Sequence, residues 1–237
     1  MKETLEHGLE ALGLDNSRIP DLERFAALML ERNQVMNLTA ITEPRDVASL
    51  HLLDSLALIR EAALETEKIV DVGAGAGFPG MPLAIVKPSL HLTLLDSLGK
   101  RVDFLREAAE ALGLENVECV HARAEEVAAQ RRERFDAAVS RAVAALPVLC
   151  ELCLPLVKPG GRMLAMKSSH SEEEIAQART AIRTLGGELE WVKDYTIPTT
   201  EVVHRIVCIR KIAPTPKKYP RRFALIKKSP LGTAGQK

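Results

Sequence analysis

The segment that most constrains the fold is the run from Ile69 to Gly80, in which a short apolar stretch leads directly into a cluster of glycines. These glycines are Gly73, Gly75, Gly77 and Gly80. The pattern predicts a strand, a tight turn and the start of a helix. Glycine adopts backbone angles that other residues rarely reach and allows a ligand close to the backbone. Such a turn can hold a nucleotide-like cofactor against the edge of a sheet.

The spacing of the glycines argues against a dinucleotide. A dinucleotide fingerprint requires glycine at its first, third and sixth positions, but counting from Gly73 the sixth residue is Phe78. Pro79 follows and favours a helix that begins at or just after it. Asp96 ends a second apolar run about 20 residues farther on, where a carboxylate can accept both ribose hydroxyls. Asp71, Gly73 and Asp96 therefore outline an S-adenosylmethionine pocket, with a purely structural turn as the alternative.

Length and composition limit the class of protein. The 237 residues, 46% of them hydrophobic, suffice for one core with an added helical piece. No apolar run is long enough to span a membrane, and the start of the chain lacks the features of a secretory signal, so a cytoplasmic protein is expected. Cys150 and Cys153 form a C-x-x-C pair. They lie in the apolar stretch 146–157, and this stretch predicts a buried helix. Without a second pair at zinc spacing, we predict core cysteines and no metal.

The formal net charge is zero, but the charges are unevenly distributed. Residues 1–68 carry 13 acids and 7 bases, whereas residues 205–237 carry 10 Lys or Arg and no acid. The segment from Lys217 to Lys228 mixes cations with aromatic residues, which suits a phosphate backbone and a stacked base. A merely solvated tail is the alternative. With only 3% aromatic residues overall, shape and charge should dominate any RNA contact.

Periodicity divides the chain into three predicted parts: an N-terminal helical cap (1–66), an α/β domain (67–212) and a basic C-terminal tail (213–237). In the cap, Leu22, Phe25 and Met29 recur at helix spacing. From Lys68 onward strands and helices alternate, which predicts a mostly parallel sheet covered by helices, one of them over 100–112. The predicted parallel strands are 69–72, 92–95, 117–120, 137–139 and 162–166. A final hairpin, 188–197 and 204–211, would complete a seven-stranded sheet with an antiparallel strand.

A set of short motifs occurs in one order along the chain: Asn37–Ile41, His51–Leu56, Asp71–Gly80, Gly99–Arg101, Arg123–Glu125 and Ser140–Ala142. Together they resemble the bacterial small-subunit ribosomal RNA guanine-N7 methyltransferase family, also called glucose-inhibited division protein B, over roughly residues 20–222. The resemblance implies a Rossmann-like methyltransferase fold with an N-terminal helical cap. It implies methyl transfer from S-adenosylmethionine to N7 of one guanine in 16S ribosomal RNA. The implied partner is that RNA or the small ribosomal subunit, and a monomer is expected.

The resemblance and the glycine turn together assign site residues. The predicted cofactor-binding residues are Asp71, Gly73, Gly75, Gly77, Phe78, Asp96, Ser97, Ala124, Glu125 and Arg141. Asp71 is expected near the methionine ammonium, Asp96 on the ribose, and Ala124 with Glu125 at the adenine; for Glu125 an exposed helix-start charge is the alternative. The predicted RNA-binding residues are Lys100, Arg123, Arg141 and Lys167, joined on charge alone by Lys217, Lys218, Arg221 and Arg222. The chain beyond Arg222 matches nothing in the resemblance.

The chemistry implied for guanine N7 requires no general base, because that atom carries a free lone pair. Catalysis should then depend on in-line placement of the two reactants. Arg141 follows a strand and is predicted at the carboxyl edge of the sheet, where it is the candidate catalytic cation. A surface salt bridge is its alternative. His51 and Asp54 share a helix face, and either line the pocket or form a structural pair.

The sequence is also compatible with other functions. A methyltransferase of the same fold could act on a small molecule or a protein, because the cofactor motif does not identify the acceptor. A noncatalytic RNA-binding or cofactor-sensing protein is a second possibility. A nicotinamide dehydrogenase is a third, weakened by Phe78 at the sixth fingerprint position.

Overall fold

The structure is a computed structural model and describes residues 1–232. Its N-terminal part is helical, as the apolar periodicity predicts. The elements are α1 (Lys2–Leu12), a 3-10 turn (Asn16–Arg18), α2 (Ile19–Met36), α3 (Pro44–Asp46), a π-helix (Val47–Leu53) and α4 (Asp54–Glu61). Asn37 ends α2 in the left-handed conformation.

The remainder is a seven-stranded sheet with helices on both faces. The strands are β1 (Lys68–Val72), β2 (His91–Asp96), β3 (Val117–His121), β4 (Phe135–Arg141), β5 (Val157–Ser168), β6 (Gly187–Thr196) and β7 (Val203–Lys211). Their order is β3-β2-β1-β4-β5-β7-β6. The first five strands are parallel, and β7 pairs antiparallel with both β5 and β6. The predicted fold class, including the antiparallel strand, is confirmed.

The connecting helices are α5 (Gly80–Val86), α6 (Gly99–Ala111), α7 (Ala124–Gln130), α8 (Leu146–Cys153), α9 (Glu172–Thr184) and α10 (Phe223–Lys228). One boundary differs from the sequence prediction. The buried helix expected over 146–157 ends at Cys153, and Val157 already belongs to β5. Pro155 explains the early end, since it has no backbone N–H to continue the helix. Cys150 and Cys153 are fully buried, and residues 1–232 contain no cluster able to hold a metal ion.

The cap is part of the main core. Phe25 and Met29 of α2 and Leu52 of the π-helix belong to the same buried cluster as Leu94 of β2 and Leu105 of α6. Burial of this cluster fixes the cap against the sheet and α6. No helix among residues 1–232 is both long enough and apolar enough to cross a membrane.

The described part of the tail, 213–232, packs back onto the body. Tyr219 and Ile226 are buried. Arg221 makes a bidentate ion pair with the fully buried Glu151 of α8, with 2.9 Å from Nε to Oε1 and 2.6 Å from Nη2 to Oε2. Arg132 donates to the carbonyl of Thr215 at 2.6 Å. The tail is thus anchored to α8 and to the loop before β4. The last five residues of the predicted tail lie outside the described part of the chain.

Candidate active site

The strand order reverses between β1 and β4, since β1 continues to β2 on one side and β4 to β5 on the other. A crevice at the carboxyl ends of the strands is the usual ligand site in such sheets. The glycine turn occupies this point. Gly73 has φ +78°, and its N–H and that of Ala74 both donate to the carbonyl of Leu95, at 2.8 and 3.0 Å. A Cβ on Gly73 would lie 2.5 Å from Val143, so glycine is required there.

Asp96 braces the turn from β2. Its Oδ2 accepts the N–H of Gly75 at 3.0 Å, and its Oδ1 accepts the N–H of Leu98 at 2.9 Å. Arg101 places Nη1 3.6 Å from the same Oδ2. Each carboxylate oxygen has room for a further donor. Asp96 is therefore fixed in position and still able to accept hydroxyl groups from a ligand.

Asp71 lies beneath the turn and is completely buried. Its Oδ2 accepts the N–H of Gly80 at 2.9 Å, while Oδ1 has no partner among the described residues. Burial raises the pKa of Asp71 to about 7, against the opposing effects of the Gly80 hydrogen bond and the charge of Arg141. In this arrangement Asp71 holds the start of α5 and does not itself form the cavity wall.

A cavity of about 580 Å³ opens between the turn, the cap and the tail. The site residues predicted from sequence that line it are Gly73, Gly75, Phe78, Asp96, Ser97, Arg123, Ala124, Glu125 and Arg141. Those that do not are Asp71, Gly77, Lys100, Lys167, Lys217, Lys218, Arg221 and Arg222. The structure thus brings together most of the predicted cofactor residues, whereas most of the predicted RNA-binding cations lie outside the cavity.

Arg141, the last residue of β4, is held from several sides. Its Nη1 donates to Asp54 Oδ2 at 2.8 Å and to the carbonyl of Leu50 at 3.1 Å. Its Nη2 donates to His51 Nδ1 at 3.2 Å, and its Cζ lies 5.0 Å from the centre of the Phe78 ring. The Arg141 side chain is only 14% exposed. The guanidinium is therefore a rigidly oriented cation in the cavity wall.

Asp54 is the counter-charge of Arg141 and is completely buried. Its Oδ1 accepts from the hydroxyl of Tyr195 at 2.7 Å and from His204 Nδ1 at 2.9 Å. Burial acts to raise the pKa of Asp54, but the His204 hydrogen bond and the Arg141 charge outweigh it and hold the pKa below its ordinary value. The group stays ionised beneath Arg141. His51 lines the cavity and Asp54 does not, and both bind the Arg141 guanidinium.

His51 joins the cap to the turn. Its ring stacks on Phe78 with centroids 4.6 Å apart, and Nε2 lies 2.7 Å from Thr39 Oγ1. Burial first, and then the positive charge of Arg141, lower the pKa of His51 to about 4. The imidazole is therefore neutral at physiological pH.

The predicted RNA-binding cations differ in their surroundings. Lys167 donates to Glu174 at 2.6 Å and to the carbonyl of Ala144 at 2.7 Å, and Arg221 is engaged by Glu151 as described. Lys100 is exposed in the first turn of α6. Exposed cations of the tail are Lys217, Lys218 and Arg222. Arg123 caps α7 and places its guanidinium 5.3 Å from the Phe223 ring.

Sequence reasoning missed several residues of the cavity wall, notably Thr39, Val143 and Phe223. Thr39 lies within the Asn37–Ile41 motif, which marked the segment without indicating a role. Phe223 is an aromatic residue among cations, and this was a usable signal for a stacking position. Val143 carries no signal in the sequence, because only the fold brings it over Gly73.

Comparison with known proteins identifies the family. Residues 18–203 match the family model described as rRNA small subunit methyltransferase G. The chain belongs to the rRNA small subunit methyltransferase G family. Ribosomal RNA small subunit methyltransferase G of Alkaliphilus metalliredigens (strain QYMF) is 46% identical over 97% of this chain and 98% of its own length. The protein of the same name from Thermoanaerobacter sp. (strain X514) is 47% identical over 92% of each chain.

Solved structures support the fold assigned to the family. The chain is similar to TrmN from Thermus thermophilus, with a TM-score of 0.50, 20% identity and coverage of 67% of this chain and 48% of that one. It is also similar to NSun6 from Pyrococcus horikoshii, with a TM-score of 0.56, 14% identity and coverage of 74% and 57%. The family, the methyltransferase class and S-adenosylmethionine as methyl donor, all predicted from sequence, are confirmed.

Proposed function

We propose that the protein transfers a methyl group from S-adenosylmethionine to N7 of one guanine in 16S ribosomal RNA. The observation that carries the proposal is one cavity that holds both a braced carboxylate, Asp96, and a rigidly oriented guanidinium, Arg141. Membership of the rRNA small subunit methyltransferase G family supports small-subunit RNA as the acceptor. We further infer a monomer that acts in the cytoplasm, where ribosomal subunits assemble.

The cavity fits the proposed cofactor. Its volume lies within the range of small-molecule sites, and the left-handed glycines leave the backbone beside Asp96 accessible. Asp96 would accept the ribose hydroxyls, and Ala124 and Glu125 at the start of α7 would face the adenine. Phe223 and Arg123 would close this end of the cavity. Asp71 would act through the turn, since it is buried beneath it.

When bound, S-adenosylmethionine supplies an electrophilic methyl group on a positively charged sulfur. Guanine N7 has its lone pair available in the neutral base, so no side chain has to remove a proton first. The surroundings of His51 agree with this, because Arg141 occupies its Nδ1 and its pKa lies at about 4. The chain contributes chiefly by holding N7 in line with the methyl group.

Arg141 is the proposed positioning cation of the acceptor side. Asp54 and the Leu50 carbonyl fix Nη1, so the guanidinium keeps one orientation while an RNA enters. A guanidinium binds phosphate oxygens or a guanine edge through parallel hydrogen bonds. Its side chain is 14% exposed, and Arg141 lines the cavity.

The proposed RNA-binding surface uses the exposed cations. Lys100 of α6 and Arg123 of α7 follow β2 and β3 at the carboxyl edge of the sheet, and Lys217, Lys218 and Arg222 project from the anchored tail. Phosphate contacts of this kind supply most of the sequence-independent affinity for RNA. Lys167 and Arg221 already have carboxylate partners, so their contribution is proposed to be mainly to the fold.

The experiment that tests this function incubates the protein with methyl-labelled S-adenosylmethionine and unmodified 16S RNA, either naked or in small subunits. Nuclease digestion and mass spectrometry then locate the label. A single 7-methylguanosine is the expected product. An Asp96→Ala variant, which should not bind the cofactor, is the matched control for contaminating activity. Label on another atom of guanine would overturn the N7 assignment, and cofactor binding without transfer to RNA would overturn the acceptor.

A further inference from the structure

Thr39 is held at the edge of the cavity by the end of α2. The Asn33 side chain accepts the N–H of Thr39 at 2.9 Å and donates to the carbonyl of Thr39 at 3.0 Å. These bonds fix the backbone of Thr39, which is half-buried and lines the cavity. The position of its hydroxyl group is therefore set by the cap.

The direction of that hydroxyl follows from donor and acceptor chemistry. A guanidinium can only donate, so His51 Nδ1, at 3.2 Å from Arg141 Nη2, must accept. In a neutral imidazole the proton is then on Nε2, which donates to Thr39 Oγ1 at 2.7 Å. Oγ1 also accepts the N–H of Ile41 at 3.0 Å. Both acceptor positions of the hydroxyl are filled by these two donors.

The hydrogen of the Thr39 hydroxyl is left without an acceptor among residues 1–232. It belongs to a chain of fixed groups that runs from Asp54 through Arg141 and His51 to Thr39. Stacking of the His51 ring on Phe78 restrains its rotation. This network of fixed groups therefore presents one oriented O–H donor at the part of the cavity where the methyl-accepting base would bind.

A guanine edge fits such a donor. Beside N7, guanine carries O6, which accepts hydrogen bonds, whereas adenine carries an amino group that donates. We propose that Thr39 Oγ1 donates a hydrogen bond to O6 of the target guanine, which selects guanine over adenine and directs N7 toward the methyl group. This inference rests on the proposed N7 methylation. Arg141 and His51 are positioning residues in it, since they act through Thr39.

The test varies the residue and the base together. Thr39→Val keeps the side-chain shape and removes the hydroxyl, and Thr39→Ser keeps the hydroxyl. The substrates are 16S RNA with guanine at the target position, or with 2-aminopurine, which retains N7 and lacks O6. The readout is the ratio of kcat/KM for the two substrates. A general loss of activity from a disturbed His51 lowers both values and leaves the ratio unchanged.

The wild-type protein and Thr39→Ser should prefer guanine by about 10- to 100-fold, the effect of one hydrogen bond to a buried partner. Thr39→Val should bring this ratio close to one. A ratio in Thr39→Val equal to that of the wild type would overturn the proposal. If the variant does not fold, wild-type protein that methylates 2-aminopurine as fast as guanine overturns it equally. Absence of N7 methylation by the wild type on guanine would instead contradict the proposed function itself.

Discussion

Arg141 and Asp54 form a buried ion pair across the boundary between the sheet and the cap, with Nη1 of Arg141 2.8 Å from Oδ2 of Asp54. The two residues are 87 positions apart in the chain. Asp54 has no exposed surface and also binds Tyr195 and His204, so one carboxylate connects β4, β6, β7 and α4. The stability of the fold and the orientation of the cavity cation thus depend on the same group.

Asp54→Asn should therefore destabilise the protein strongly. The substitution removes the counter-charge of Arg141 and leaves a buried cation unpaired, which typically costs about 3–5 kcal/mol. Chemical denaturation measures the free energy of unfolding. Glu172→Gln is the matched control, because Glu172 also pairs with an arginine, Arg205, but is 70% exposed. Its effect should stay within about 1 kcal/mol, and equal losses in the two variants would contradict the role given to Asp54.

Arg141→Lys should reduce methylation far more than cofactor binding. Lysine preserves the positive charge beside Asp54 but lacks the planar fork that also reaches Leu50 and His51. Misplacement of a positioning group costs roughly 100-fold in rate. Single-turnover methylation and calorimetric titration of the cofactor separate the two quantities. Arg45→Lys, at an exposed arginine of α3, should change neither, and an Arg141→Lys variant with full activity would exclude the proposed role.

The raised pKa of Asp71 predicts that the free energy of unfolding depends on pH. Burial raises the pKa of its folded-state carboxyl from 3.8 to about 7, so between these values the folded protein retains a proton that the unfolded chain has released. The contribution of Asp71 is complete below about pH 4 and is lost as the pH rises to about 7, a change of roughly 4 kcal/mol by linkage. Asp71→Asn removes this titration.

Unfolding free energies of the wild type and Asp71→Asn, measured from pH 5 to 8, test this expectation. The wild type should gain stability relative to the variant as the pH falls. The exposed Asp46→Asn should show no such difference. Parallel curves for the wild type and Asp71→Asn would show that the Asp71 carboxyl titrates at its ordinary pKa.

Phe223→Ala should weaken binding of S-adenosylmethionine by about 10-fold or more, since stacking on an aromatic ring contributes roughly 1–3 kcal/mol per base. Phe223 lines the cavity and is held against Arg123 at 5.3 Å. Leu225→Ala is a matched control on the same helix, because Leu225 is 53% exposed. Calorimetric titration gives both dissociation constants. Unchanged cofactor affinity in Phe223→Ala would remove α10 from the cofactor site.

Replacement of Lys217, Lys218 and Arg222 by glutamine should reduce the salt dependence of RNA binding. Each lost phosphate contact lowers the slope of log K against log salt by about 0.7 for single-stranded RNA, so the three together should lower it by roughly 2. Filter binding from low to high salt measures the slope. The control triple Lys68, Arg134 and Lys158 to glutamine removes exposed cations at the amino edge of the sheet. Equal slopes in the two triple variants would contradict a tail-specific surface.

Much of the local structure could be predicted from sequence because local physics determines it. The glycine turn, the strand periodicity and the apolar stripe of α6 depend on neighbours a few residues apart. The end of α8 was also a local signal, since Pro155 stops the helix, yet the apolar run concealed it. Asp96 could be placed at the cavity because the carboxyl end of a parallel strand has a defined position in this fold.

The ion-pair partners of the charged residues could not be predicted in the same way. From the sequence, Lys167 and Arg221 were predicted to be available for RNA. The fold instead pairs Lys167 with Glu174, and it pairs Arg221 with Glu151, 70 residues away. Formal charge in a sequence does not reveal which cations packing will bring against a buried carboxylate. The division of the chain at residues 66 and 212 stays a prediction, although cap and sheet share a core and the described tail is anchored to α8.

The sequence by itself determined the class of fold, the family, the cofactor turn and the carboxylate beside it, because each depends on short-range backbone preferences or on the order of motifs along the chain. Only the tertiary structure decided that Asp54, Arg141, His51 and Thr39 form one connected network and that Phe223 returns to the cavity. The reason is physical: hydrogen bonds and ion pairs between residues such as His51 and Arg141, 90 positions apart, exist only after the core has packed.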